Sequence, residues 1–166
     1  MTAGHKMGWS ETAPTMEVDL ELIWREHAGA ALRYATVLVG ADDAHDITVD
    51  AFLRISQAPG WAGVEHPRTY LLRAVTNRAH DVRRQQDRRA RREQTNYMPD
   101  TIPVAEPAVD LRRHIAALSL QQRAVVFLTY WEDMTIPAIA ELLGLSPGTV
   151  HRNLTRARTQ LRKALQ

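Results

Sequence analysis

Apolar residues recur at helical spacing through most of the chain. Leu20, Ile23, Trp24, Ala28, Ala31, Leu32, Ala35, Leu38 and Val39 trace one face of a helix that Gly40 closes. Ile47, Ala51 and Ile55, with Phe52 beside them, line a second helix from Asp42 to about Ala58, which Pro59 and Gly60 stop. After the loop APGWAGVEHPR, Leu71, Ala74, Val75, Ala79 and Val82 form a third stripe, and that helix runs on into RRQQDRRARRE. Residues Thr95 to Val109 carry Pro99, Pro103 and Pro107 and lack a periodic apolar face, so they are expected to be an extended, weakly acidic linker. Beyond it Leu111 to about Ala117 predicts a short helix. Ser119 with Gln122 then predicts a capping box for a helix through Val125, Phe127, Leu128 and Trp131. Strand-like alternation and internal repeats are missing. The expected fold is all-α, two small helical domains joined by a flexible linker. The boundaries fall at residues 1–16 for a flexible tail, 17–94 for the first domain, 95–110 for the linker and 111–166 for the second.

The second domain ends in the most informative stretch, TIPAIAELLGLSPGTVHRNLTRARTQLRK. Ile136, Ile139, Ala140 and Leu143 give one helix, and Gly144 accepts the left-handed turn that ends it. Ser146 is placed to cap the next helix, with Pro147 at its first position, where no N–H is needed. Along that helix Val150, Leu154, Ala157 and Leu161 form an apolar stripe. His151, Arg152, Asn153, Arg156, Arg158, Arg162 and Lys163 occupy the remaining faces with no acidic residue among them. This is the layout of a DNA-reading helix-turn-helix: the helix N-terminus suits a phosphate, Arg suits guanine edges and Asn suits adenine edges. Thr149, His151, Arg152 and Asn153 are expected nearest the bases. The plainer alternative is a helical hairpin with a solvated basic face.

Composition narrows the field without choosing a function. The 166 residues, 45% of them hydrophobic, suffice for one ordinary domain or two small ones, and the formal net charge is only +2. The absence of cysteine excludes disulfides and thiol chemistry. The N-terminal stretch has no apolar run suited to a signal peptide and no later run approaches membrane-spanning length, so no membrane insertion and a cytoplasmic location are expected. Charge is concentrated locally in Arg83, Arg84, Arg88, Arg89, Arg91 and Arg92.

With both halves in view, the chain resembles the extracytoplasmic-function class of bacterial RNA polymerase sigma factors from about Leu20 to Leu165. LGLSPGTVHRNLTRARTQLRKAL resembles the family's promoter-reading region 4. DAHDITVDAFLRI resembles a region 2 helix, and HPRTYLLRAVTNRAHDVRRQQDRR its promoter-melting segment. Tyr70 stands where the family usually has Trp, and Pro137 where a polar or acidic residue is common.

The resemblance implies a sigma factor that directs core polymerase to promoters, with no catalytic residue, metal site or cofactor. The implied partners are the beta-prime clamp helices and beta flap of core polymerase, promoter DNA and, in this class, an anti-sigma factor. Minus-35 recognition would fall to Thr149, His151, Arg152, Asn153, Arg156, Arg158 and Arg162. Minus-10 recognition would fall to Trp61, Arg68, Tyr70, Arg73, Asn77, Arg78, Arg83 and Arg84, because unpaired bases need stacking surfaces beside backbone-neutralising cations. Core packing is the competing role for Trp61 and Tyr70. Polymerase docking would use Asp42, Asp43, Asp46 and Asp50 with Phe52 and Leu53, an acidic face with an apolar edge; read by periodicity alone, those carboxylates suit a solvated first helical turn. A stand-alone helix-turn-helix regulator would bind DNA without polymerase. A metal hydrolase built on His27, His45, His66 and His80 lacks any paired ligand motif.

Overall fold

The computed structural model describes residues 20–59, 64–93 and 107–164. Among the described residues seven helices follow one another: α1 Leu20–Val39, α2 Ala41–Ser56, α3 Pro67–Glu93, α4 Pro107–Ala116, α5 Leu120–Tyr130, α6 Ile136–Leu143 and α7 Pro147–Ala164. No strand occurs among the described residues. The expected helices are therefore present, with one boundary moved: α4 starts at Pro107, four residues before Leu111. Proline at the first helical position has its φ already set and needs no hydrogen bond, so it opens this helix although it reads as a linker residue.

Local chemistry explains the turns. Gly40 sits at φ 95°, and its N–H reaches the Thr36 carbonyl at 2.9 Å, so α2 begins one residue after α1 ends. Gly144 takes the left-handed conformation, φ 65° and ψ 36°, between α6 and α7. Ser119 Oγ accepts from the Gln122 N–H at 3.2 Å, and the Gln122 side chain accepts from the Ser119 N–H at 2.9 Å, completing the capping box. Pro137, the departure from the family pattern, lies in the first turn of α6 behind the N-cap Thr135, where a missing N–H costs nothing.

In the first half α1, α2 and α3 pack together around Ala31, Leu38, Ile47, Ala51, Leu71 and Val75. In the second, α5, α6 and α7 enclose Val125, Leu128, Ile139, Val150 and Leu154. The two cores run into one another across α1 and α5. Tyr34 is fully buried there; its hydroxyl is 2.8 Å from Thr76 Oγ1 and its ring centroid is 5.0 Å from that of Phe127. Burial pushes the Tyr34 phenol well above its ordinary pKa, against the opposing hydrogen bond from Thr76, so the group stays a neutral donor and acceptor. Phe127 in turn stacks on Trp131 with the rings 5.8 Å apart and 1° from parallel.

Arg123 closes the same junction. Its Nη1 donates to the Leu38 carbonyl at 2.6 Å, Nε to Leu118 at 3.0 Å and Nη2 to Ala116 at 2.5 Å. A cation thereby satisfies carbonyls at the C-terminal ends of both α1 and α4, where the helix dipole favours positive charge. Burial, and secondarily Arg83, pull the guanidinium below its ordinary pKa. It remains charged because arginine starts so high.

Candidate nucleic-acid interface

The period of α7 divides its residues. Val150, Leu154 and Ala157 are buried, whereas His151, Arg152, Thr155, Arg156 and Thr159 stand exposed on the other side. Ser146 Oγ accepts from the Thr149 N–H at 3.2 Å and lies 2.8 Å from Thr149 Oγ1. Arg152 Nη2 donates to Thr149 Oγ1 at 3.1 Å, which ties the guanidinium to the first turn. Arg158 and Arg162 are also exposed. The Arg158 guanidinium carbon lies 5.8 Å from the Tyr130 ring centroid.

Asn153 is among the residues expected nearest the base edges. It is half-buried, and its Nδ2 donates to the Thr149 carbonyl at 3.0 Å and to Gln121 Oε1 at 3.3 Å. Position 153 lies three residues after Val150 and next to Leu154, on the flank of the buried stripe, so its amide joins α7 to α5. Thr155 and Thr159, overlooked among the charges, occupy the exposed face instead. Their spacing from Arg152, three and seven residues, or about one and two turns, is readable in the sequence.

On α3, Tyr70, Arg73, Asn77 and Arg84 are exposed and stand three, four and seven residues apart, which places them on one side of the helix. The other expected minus-10 residues do not join them. Arg78 Nε meets Asp50 Oδ2 at 2.5 Å, in a contact whose angles miss hydrogen-bond geometry. Arg83 pairs with Asp87 at 3.4 Å, as Arg84 does with Asp81 at 2.5 Å, and it is the helical period that turns Arg83 away from the other side chains. Arg68 donates from Nε and Nη2 to Glu132, at 2.8 and 3.0 Å. Trp61 lies outside the described residues.

Acid sensitivity is expected beside this face. Burial, reinforced by Arg84 and opposed by Asp81, holds the His80 imidazole below its ordinary pKa. The unfolded chain therefore takes up this proton at a higher pH than the folded one. Stability from His80 is complete above the ordinary histidine pKa and is lost as pH falls through it. The melting temperature should drop from about pH 7 to about pH 5, and His80→Gln should flatten that decline; an identical slope in the variant would remove His80 as its source.

The third surface is on α2. Asp42, Asp46, Val49 and Leu53 share one helix face by spacing; the two carboxylates are exposed and Leu53 is 50% exposed. Leu53 and the half-buried Phe52 line a groove of about 310 Å³ with Leu20, Trp24 and Val49. The Trp24 and Phe52 rings lie 4.8 Å apart in its wall. Asp43 is also exposed. Asp50 is turned between α2 and α3, paired with Arg78 and, at 3.0 Å, with Arg54. Its carboxylate therefore couples the acidic helix α2 to α3.

This arrangement has known counterparts. The Sigma-70 region 2 family matches residues 23–89, and the Sigma-70, region 4 family matches residues 108–161. Over 159 residues the chain is 30% identical to the ECF RNA polymerase sigma factor SigL of Mycobacterium tuberculosis, with 89% of each chain covered. The chain belongs to the extracytoplasmic-function sigma factors. This sigma factor is also 32% identical to the RNA polymerase sigma-E factor of Streptomyces avermitilis over 159 residues, covering 90% of the chain and 86% of that relative. Among solved structures, the sigma factor RpoE in complex with the anti-sigma factor NepR from Bartonella quintana has the same fold. Its TM-score is 0.74 at 19% identity, over 89% of this chain and 96% of that one. CnrH in complex with the cytosolic domain of CnrY follows with a TM-score of 0.55 at 23% identity, covering 88% of this chain and 86% of that one. In the sigma factor described here, α1 to α3 carry region 2 and α4 to α7 carry region 4. No described helix is long and apolar enough to cross a membrane.

Proposed function

We propose that this sigma factor brings core polymerase to promoters by dividing recognition between its two basic helices. The exposed face of α7, with His151, Arg152, Thr155, Arg156 and Thr159, reads the duplex minus-35 element. The Tyr70, Arg73, Asn77 and Arg84 side of α3 holds the minus-10 strand as it separates, and Arg68 joins them when it is free of Glu132. The observation that carries this reading is the presence of two separate basic faces in one chain, one on a capped helix-turn-helix and one mixing an aromatic with arginines. Positive charge neutralises phosphate in both, while the aromatic suits only bases that have left the stack. The protein performs no bond chemistry itself and needs no cofactor; it acts in the cytoplasm, where polymerase and chromosome are.

The α2 face supports the polymerase contact. Asp42 and Asp46 beside Leu53 and the Trp24–Phe52 groove complement a basic coiled coil of the beta-prime clamp, with charge setting the approach and apolar surface the hold. The half-exposed Tyr130 and Trp131 give region 4 an apolar patch for the beta flap. An anti-sigma factor remains a compatible partner by relationship to the two solved complexes.

Run-off transcription with core polymerase on a promoter library, with and without the protein, tests the reading directly. New start sites that share an upstream sequence are expected; their absence with a folded protein overturns it. Asp46→Arg should reduce capture of core polymerase about tenfold or more without altering the circular dichroism spectrum. Undiminished capture would remove α2 from the docking surface.

A further inference from the structure

Arg68 is the one candidate promoter-binding arginine whose charge is neutralised from the other half of the chain. The Glu132 carboxylate, between α5 and α6, receives it in a two-pronged pair: Nε to Oε2 at 2.8 Å, Nη2 to Oε1 at 3.0 Å and Nη2 to Oε2 at 2.7 Å. A carboxylate offers arginine the same planar pair of acceptors as a phosphate group. The Glu132 side chain is only 7% exposed, and Arg68 is its sole ion-pair partner among the described residues. A buried carboxylate left alone would be costly, so in the closed arrangement Glu132 keeps hold of Arg68.

The surroundings make this pair the working fastener on its side of the molecule. Between the start of α3 and α6 lies a cleft of about 440 Å³, bounded by His66, Tyr70 and Arg73 on one wall and Met134, Ala138 and Leu142 on the other. Leu142 is buried and Met134 packs against the core at its floor, while the mouth of the cleft stays open. On the opposite side of the same junction Tyr34, Phe127 and Arg123 are tightly engaged with their neighbours. One edge is sealed by packing and the other by an ion pair across an open cleft, which is the construction of a hinge with a latch.

We infer that Glu132 is an internal phosphate mimic that latches region 4 over the minus-10 side of region 2. In the free chain it occupies Arg68 and narrows access to the Tyr70 and Arg73 wall. Binding partners that favour the parted halves release Arg68 to the promoter strand, and Glu132 then meets solvent instead of remaining buried without a partner. This inference rests on the promoter reading above, because it assigns Arg68 to the nucleic acid.

The test uses the full chain without polymerase and, as probe, a fluorescent mixed-sequence DNA single strand about twenty nucleotides long. Glu132→Gln keeps the shape and removes the charge, and should tighten binding of the strand about tenfold, equivalent to about 1.4 kcal/mol. A second variant avoids dependence on that substitution. The chain has no cysteine, so Thr69→Cys with Ala138→Cys, both lining the cleft, can be joined by a reducible bismaleimide. The cross-linked protein should lose strand binding and regain it on reduction. Equal strand binding by wild type and Glu132→Gln overturns the latch, as does undiminished binding by the cross-linked form. Run-off transcription measured in parallel separates the two levels: normal transcripts with unchanged strand affinity remove only the latch, whereas no transcripts from any form removes the promoter reading beneath it.

Discussion

Phe127→Ala is expected to lower the unfolding free energy by about 3–5 kcal/mol, the usual cost of emptying a buried aromatic site. Phe127 is 2% exposed, and its ring lies between those of Tyr34 from the first half and Trp131 at the end of its own helix. Little can collapse into the space. Tyr34 is held by its hydroxyl on the buried Thr76, and Trp131 is held at the end of α5 by its backbone N–H on the Phe127 carbonyl at 2.9 Å. Urea denaturation followed by circular dichroism checks the magnitude, with Phe127→Leu as the milder variant that keeps most of the apolar volume. A loss below about 1 kcal/mol would mean that the site repacks and that the aromatic junction does not hold the halves together.

The second large effect belongs to α7. Arg152→Ala combined with Arg156→Ala should weaken binding to the minus-35 duplex by about a hundredfold in holoenzyme, since each removes a cation from the exposed face and a good arginine contact is worth about 1–3 kcal/mol. The salt dependence of binding should become shallower by about one power of salt for each lost phosphate contact. Asn153→Ala is the informative comparison. Its amide is spent on Gln121 and the Thr149 carbonyl, so it should cost about 1 kcal/mol of stability and leave the order of preferred bases unchanged. A changed base order in a promoter library would return Asn153 to the readout surface, and unaltered duplex affinity in the double variant would remove α7 from it.

Much of the candidate site was legible before the fold, and the reason is covalent proximity. The Ser119–Gln122 box, the left-handed Gly144, the Ser146 cap and the Pro147 start each depend on residues within four positions of one another. Backbone geometry sets those relations with no reference to the rest of the protein. The same holds for the acidic face of α2 and the basic face of α7, whose membership follows from a period of 3.6 residues. The same period places Thr155 and Thr159 on the exposed face of α7. The start of α4 at Pro107 is not legible in the sequence, because proline marks both linkers and first helical turns, and local sequence alone does not choose between them.

What the sequence determined by itself was the set of helices, their ends and the faces that carry charge. The tertiary structure alone decided which of those charges are already engaged. Arg68 meets Glu132 across 64 positions, Arg78 meets Asp50 on a neighbouring helix, and Asn153 meets Gln121 across 32. Such pairings depend on the angles at which helices cross and on how Tyr34 and Phe127 seat one half against the other. Those angles come from the shapes of many side chains packed at once, a property no short window of sequence contains.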